Sequence, residues 1–296
     1  MRKMMRLLIF FFCSVLYAQK LEGEWHGYIQ FRDWKSDIPI SWYYFSNNSY
    51  QIDTTVAGYE PLISYISKEY VKDGYYDENG TFKCEEKEGL AYIVFTSSAD
   101  FTLKKRLGVL YSQRRLFLYD GDGIFFEPDE NYTWAGYSPE ITAVRTSSSL
   151  KEGSVVYDGT QFIRVPGVKL QPWAEGKEGN GIGEWIEFDV KSRWNTEKLL
   201  IANGYISFNK PYLYRNNNRI KEYEITSQSL AKPLRGTLKD TPELQEIVLP
   251  EMIKNKEYTM RLTIKSVYRG DKWDDTCLTL VYPMPPEPPS KYGEKY

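Results

Sequence analysis

Gly179-Asn180-Gly181-Ile182-Gly183-Glu184-Trp185-Ile186-Glu187-Phe188 is the stretch whose reading decides the fold. Three glycines within five positions allow a tight loop with positive φ values, and that loop delivers the chain into an alternating run. Alternation with a period of two is the pattern of a half-buried strand. Because the loop leads into a strand and no P-loop lysine follows, its glycines serve the backbone rather than a phosphate. Trp185 and Ile186 are neighbours, so one of them faces the interior, and Trp185 is the residue expected there.

The same text continues outward. Short β-like runs recur at Tyr28-Ile29-Gln30-Phe31, Ile40-Ser41-Trp42-Tyr43-Tyr44-Phe45, Ala91-Tyr92-Ile93-Val94-Phe95 and Leu116-Phe117-Leu118-Tyr119. Between them stand Ser46-Asn47-Asn48-Ser49, Asp77-Glu78-Asn79-Gly80 and Asp120-Gly121-Asp122-Gly123, which read as hairpin turns. The 25 Tyr, 14 Phe and 8 Trp favour strands over helices, and only 61–70 has a helical rhythm. The expected class is all-β: a small antiparallel barrel or sandwich, then a second β-domain. The pattern breaks at Ser138-Pro139-Glu140, which separates a domain at 19–138 from one at 139–282. From Pro283 to the end at 296, the proline-rich text predicts an extended tail.

Residues 1–18 read as a secretory signal: a basic start, an apolar run over 7–16 and Ala18 before Gln19, with cleavage expected after Ala18. The expected location is therefore periplasmic, cell-surface or extracellular. Cys13 opens a second expectation, a lipid anchor to a membrane. Against it, bulky Phe10-Phe11-Phe12 stands where a lipobox has small residues. Without Arg2, Lys3 and Arg6, 35 of the 38 basic residues face 40 acidic ones, a net charge of −5. That balance argues against a nucleic-acid binder, which needs a basic face. Cys84 and Cys277 fall in different domains, and two buried thiols are expected over a disulfide.

The second domain carries blocks too particular for generic strands and turns. In order they are Ser147-Ser148-Ser149-Leu150-Lys151-Glu152-Gly153, Trp173-Ala174-Glu175-Gly176, the glycine loop quoted above, and Ile201-Ala202-Asn203-Gly204-Tyr205. Tyr214-Arg215-Asn216-Asn217-Asn218-Arg219-Ile220-Lys221, Leu238-Lys239-Asp240-Thr241-Pro242-Glu243-Leu244-Gln245 and Ser266-Val267-Tyr268-Arg269-Gly270-Asp271-Lys272-Trp273-Asp274-Asp275-Thr276-Cys277 complete the series. Over about 140–282 this series resembles the discoidin-like (coagulation factor 5/8 C-terminal type) modules of bacteria, in the version known as the NADase-type glycan-binding domain. The resemblance implies a jelly-roll β-sandwich of roughly eight strands with a carbohydrate-binding role in loops at one end. It implies no NAD cleavage here.

Sugar recognition needs an aromatic face for the apolar side of a pyranose, flanked by amides, carboxylates or guanidinium groups. Loop residues with that chemistry are Trp173, Glu175, Tyr205, Tyr214, Asn216, Asn217, Asn218, Arg219, Trp273, Asp274 and Asp275. Trp173 reads equally as ligand platform or core plug, and the Asn run also reads as a left-handed turn. No cofactor is expected. Relatives often carry a carboxylate after the Asp-Asp-Thr-Cys block, but Leu278-Thr279-Leu280-Val281 stands there, which leaves a calcium site at Asp274 and Asp275 short of a ligand. Val165-Pro166-Gly167-Val168-Lys169-Leu170-Gln171-Pro172 likewise replaces the usual turn-and-Asp region before Trp173.

The first domain is less legible. Gly23-Glu24-Trp25 resembles the Gly-x-Trp opening of lipocalin-type barrels, and Trp25 reads first as a plug at one barrel end. His26 is the one histidine and stands beside no nucleophile motif, so Ser-His-Asp, Cys-His and zinc chemistries are starved. A two-carboxylate glycosidase is the enzymatic alternative, with Glu175, Glu184, Asp274 and Asp275 as its first candidates. The leading expectation is an exported carbohydrate-binding protein without catalysis. The alternatives are a structural or adhesive protein-interaction module and a lipocalin-like carrier of an apolar ligand.

Overall fold

The computed structural model describes residues 23–28, 39–46, 49–54, 76–97, 102, 104–111, 116–122, 124–128, 139–163, 170–193 and 195–286, with backbone alone through residue 84. The signal segment, Cys13, the 61–70 rhythm, the segment 164–169 and the tail from 287 lie outside the described residues, as do the side chains of Trp25, His26 and Cys84.

Two compact units emerge. One comprises Met1–Thr133, Gly167–Lys169 and Ser207–Tyr212, and the other comprises Trp134–Pro166, Leu170–Ile206 and Leu213–Tyr296. The first is a closed antiparallel barrel of β1 (Gly23–Tyr28), β2 (Pro39–Ser46), β3 (Ser49–Thr54), β4 (Tyr76–Lys87), β5 (Leu90–Ser97), β6 (Lys104–Tyr111), β7 (Leu116–Asp120) and β8 (Ile124–Pro128), each paired with the next. The β1–β8 ladder closes it. Ser46 of β2 pairs with Ser49 of β3, and Asp120 of β7 pairs with Ile124 of β8. Glu88 and Gly89, both at positive φ, join β4 to β5 in the two-residue manner that suits strand twist.

The turn expected at 77–80 is instead continuous strand. β4 pairs its first half with β3 and its second with β5, and Gly80 sits where the two pairings meet. A glycine inside a strand accommodates such a bend, so turn-type residues here shape a long strand rather than end it.

The second unit runs through β9 (Glu140–Thr146), the hairpin β10 (Lys151–Glu152) and β11 (Val155–Val156), β12 (Trp173–Ala174), β13 (Trp185–Lys191), β14 (Thr196–Asn203) and the single turn α1 (Leu213–Asn216). It continues with β15 (Asn218–Thr226), β16 (Leu234–Thr237), β17 (Gln245–Ile253), β18 (Glu257–Tyr268) and β19 (Thr276–Met284). The strand order is β17-β14-β19-β15-β18-β13-β9, with β12 on β19 and β16 on β15. The order folds over at the parallel step between β19 and β15, only two residue pairs long. Two layers then share one core: Leu199, Ile201, Ile247, Leu278 and Val281 from one, Ile186, Phe188, Ile225, Met260 and Leu262 from the other. This is the expected β-sandwich. β19 continues two residues past the expected start of the tail, because Pro283 and Met284 pair with Leu199 and Lys198.

The expectation that Trp185 faces the core is corrected. In β13, Ile186, Phe188 and Val190 are inward at 0–1% exposure, while Trp185, Glu187 and Asp189 share the outer face. Three polar residues of the same parity as Trp185 decide the orientation of the strand. Outside, the Arg261 guanidinium stacks 3.9 Å from the Trp185 ring centre. Arg145 bridges Glu187 and Asp189 beside it.

Candidate functional site

Eight of the eleven candidate residues lie in three connections of the sandwich, at 174–184, 204–217 and 268–276, while Trp173 opens β12 and Asn218 and Arg219 open β15; the segment 147–158 packs beside them. These are joined by hydrogen bonds spanning long stretches of sequence. Six of the eleven are buried. Trp173 is fully buried in the core and its indole N–H donates to the Ser148 carbonyl at 3.0 Å. It is therefore the core plug and not a ligand platform: its strand β12 lies on β19, which turns the ring inward.

Glu175 is also wholly buried. Its carboxylate accepts the Lys177 and Thr276 amides at 2.9 and 3.2 Å, tying the glycine loop to the start of β19. Burial pushes its pKa up, more than these two amides lower it. Gly181, at φ +65°, lets the loop pass, since a Cβ there would stand 2.5 Å from the Glu175 carboxyl carbon. Glu184 moves the other way. Burial would raise its pKa, but the Ser147 and Ser148 hydroxyls, both donating at 2.6 Å, and Lys177 bring it below its ordinary value. Two carboxyls shifted apart are what acid–base catalysis requires. Here both are spent on the chain's own donors, and Glu175 has no exposed surface.

Asn217, Asn218 and Arg219 are buried as well. None of the Asn216-Asn217-Asn218 run has positive φ, so it is no left-handed turn: it ends α1 and opens β15. The Asn217 amide donates to the Leu213 carbonyl at 2.9 Å. Asn218 donates to the Asp274 carbonyl and accepts the Gly270 amide at 2.7 Å, clamping 268–276. Arg219 forks onto Asp240 at 2.9 and 2.8 Å, and its Nη1 donates to the carbonyls of Arg215, Asn217 and Arg269. Tyr214 donates to Asp240 at 3.3 Å beside that guanidinium, and burial pushes its pKa up. These residue types were singled out as sugar ligands. In the structure their hydrogen-bonding groups are turned onto the loops themselves.

Five candidates reach the surface. Tyr205, Asn216, Trp273 and Asp275 are half-buried and Asp274 is exposed. The Asn216 carbonyl accepts the Lys272 and Trp273 amides at 3.2 and 2.8 Å, which fixes the backbone below the Trp273 ring. The Lys272 ammonium lies 4.5 Å from that ring's centre. Tyr205 packs edge-on against Tyr157 at 5.9 Å, over a small apolar cluster with Leu150, Ala174 and the free, buried thiol of Cys277. The Tyr157 hydroxyl donates to Glu152 at 3.1 Å. Burial, then the charges of Glu152 and Asp274, raise the pKa of Asp275. Among the described residues no three His, Cys, Asp or Glu side chains are placed to hold a metal ion, so Asp274 and Asp275 have no third carboxylate beside them. A groove lined by Glu222, Tyr223, Arg235, Gly236, Thr237 and Lys265 lies over β15, β16 and β18, and no candidate residue lines it.

Sequence reasoning missed Glu152, Tyr157, Asn203 and Asp240 as functional parts of this region. Asn203 is fully buried and pairs with the Ile220 backbone through both amide atoms, at 2.7 and 3.0 Å. All but Tyr157 lay inside the blocks quoted for the resemblance, so the signal was there. Those blocks record the residues that lock the loops.

The sequence pattern of the NAD glycohydrolase translocation F5/8 type C domain family matches residues 136–283, half of the chain. No curated protein matches the chain. Among solved structures it is similar to the arabinofuranosyltransferase AftD from Mycobacteria, at 12% identity and a TM-score of 0.32 over 52% of this chain, and spans 13% of that one. It is also similar to the structure of CBM51-2 in complex with GlcNAc and INT domains from Clostridium perfringens ZmpB, at 11% identity and a TM-score of 0.20, covering 73% of this chain and 45% of that one. Through residues 136–283 the chain belongs to the NAD glycohydrolase translocation F5/8 type C domain family.

Proposed function

We propose that the F5/8 type C domain binds carbohydrate through the connections at 204–217 and 268–276, in an exported protein that binds its ligand without converting it. The observation that carries this reading is the locking of those loops. Asn218, Arg219 and Asp240 hold the backbone of 268–276 from inside, and Tyr205 packs on Tyr157, so Trp273, Tyr205, Asp274 and Asp275 are offered at the surface with little freedom left to lose on binding. The aromatic rings suit the apolar face of a pyranose and the carboxylates suit its hydroxyls. In this reading, attachment to a membrane depends on a lipid at Cys13. The test is a glycan array followed by titration of the hits. Trp273→Ala and Tyr205→Ala each lower affinity about tenfold or more, as truncation of an aromatic anchor does. A parent chain that binds no glycan, or two variants that bind like the parent, refutes the assignment.

A second reading, a protein-interaction surface, draws on exposed Val155, Val156 and Ile182, at 41, 37 and 55% exposure on the β10–β11 hairpin and the glycine loop. A Val156→Asp, Ile182→Asp double variant that abolishes adhesion to cells while keeping glycan binding would favour it.

A further inference from the structure

The barrel unit includes Ser207–Tyr212, and the contacts of that segment within the unit form a built site. Register places Tyr92 of β5 opposite Gly108 of β6, and Gly108 opposite Tyr119 of β7. The three positions make one row on one face of the sheet. Because the middle position has no side chain, the row is a slot one ring wide between two tyrosines. Phe208 fills it. Its ring centre lies 5.5 Å from each tyrosine, stacked on Tyr119 and edge-on to Tyr92. A Cβ at Gly108 would stand 2.1 Å from the Phe208 ring.

The polar side of the site is equally specific. One carboxylate, Asp122, accepts the Ser207 hydroxyl at 2.7 Å, the Phe208 amide at 2.6 Å and the Asn209 amide at 3.3 Å. Tyr92 donates its hydroxyl to the Phe208 carbonyl at 3.2 Å. The Ser207 oxygen accepts the Lys210 amide at 2.9 Å and closes the segment as a turn. Gly121, at φ +62°, leaves room for the Asn209 side chain, which a Cβ would meet at 2.9 Å.

We propose that the Tyr92–Gly108–Tyr119 row with Asp122 is a peptide-recognition site for an aromatic-tipped turn of the form Ser-Phe-Asn, occupied in this chain by Ser207-Phe208-Asn209. The ligand chemistry follows from the contacts. The slot takes a flat ring, while the carboxylate takes a small hydroxyl and two successive backbone N–H groups, in charge-assisted hydrogen bonds. A proline at either of the last two positions would remove a donor.

The test uses the full chain with Phe208→Ala and, as probe, the synthetic heptapeptide Ile-Ser-Phe-Asn-Lys-Pro-Tyr, which copies residues 206–212. Hydrogen exchange is followed at β5, β6 and β7, with β13 and β18 as internal reference. The variant is expected to lose about tenfold or more of its protection at β5–β7 while the reference strands keep theirs. About millimolar peptide, the effective concentration a short tether supplies, restores it. A peptide with Ala for Phe does not, and adding Asp122→Ala to the protein abolishes the restoration. Unchanged protection in Phe208→Ala overturns the proposal, and so does lost protection that the peptide leaves lost.

Discussion

Arg219→Ala removes a guanidinium whose side chain is 9% exposed and which closes the loop end of the sandwich from inside. Asp240 keeps access to water, its side chain being 38% exposed, so the unpaired carboxylate is the smaller loss. The Arg215 carbonyl keeps the Asp271 amide at 2.9 Å, so the larger one is at the carbonyls of Asn217 and Arg269, which lose donors at 2.9 and 3.1 Å. Each buried carbonyl left unpaired costs about 1–3 kcal/mol, and water entering the vacated space recovers part of the sum. A net loss of about 3–5 kcal/mol is expected, the range for breaking a buried pair from one side. In a unit of this size that lowers the melting midpoint by roughly 6–20 °C. Arg219→Lys keeps the charge but cannot span both the fork and the carbonyls, so about half of the loss remains. Two units make a single unfolding curve ambiguous, so the measurement is denaturant-dependent hydrogen exchange at β14, β15 and β19. A loss below about 1 kcal/mol, or a lysine variant as stable as the parent, would show that the Asn217 and Arg269 carbonyls do not depend on this side chain.

Three further outcomes are expected. Glu175 has a folded-state pKa above its unfolded one because burial disfavours its charge, so its contribution is whole below the ordinary carboxylate range and declines as pH rises through the folded value. The stability difference between parent and Glu175→Gln, measured by urea unfolding across pH, should fall from about pH 4 upward, and a rise would contradict the burial argument. Gly181→Ala meets the Glu175 carboxyl, whereas Gly179→Ala, at φ +103°, has nothing within 4 Å, so both carry backbone strain and only the first a clash. Gly181→Ala should therefore cost about 1–3 kcal/mol more in melting experiments, and equal costs would remove the close approach from the account. Ile186→Ala, at a fully buried position, should cost about 2–5 kcal/mol and Trp185→Ala about 1 kcal/mol, the reverse of what residue size alone suggests.

The β13 case shows which features were legible before any tertiary structure. Trp185-Ile186-Glu187-Phe188-Asp189-Val190-Lys191 contains its own answer, because Glu187, Asp189 and Lys191 share the parity of Trp185. Reading the tryptophan alone, rather than the whole run, sent it to the wrong face. The turn at 77–80 failed for the opposite reason. Asp77-Glu78-Asn79-Gly80 is sound turn chemistry, and only the barrel's need for one strand to pair on both sides overrides it. At the candidate site, Trp173 and the Asn217–Arg219 run had the right chemistry for a ligand and were claimed by the interior instead.

By itself the sequence determined the all-β class, strands β2, β5, β7 and β13, and the family of the second domain. Strand parity is local, since a period of two is visible within a few residues, and the family blocks spell out the side chains that lock the loops. Tertiary structure alone decided which loop side chains face the solvent and which face the protein. Loops have no period, and their side chains are aimed by partners far away in sequence: Asn218 by Asp274, Arg219 by Asp240 and Arg269, Phe208 by Asp122. Hydrogen-bonding groups that would serve a sugar serve a buried carbonyl equally well, and only the fold determines which is within reach.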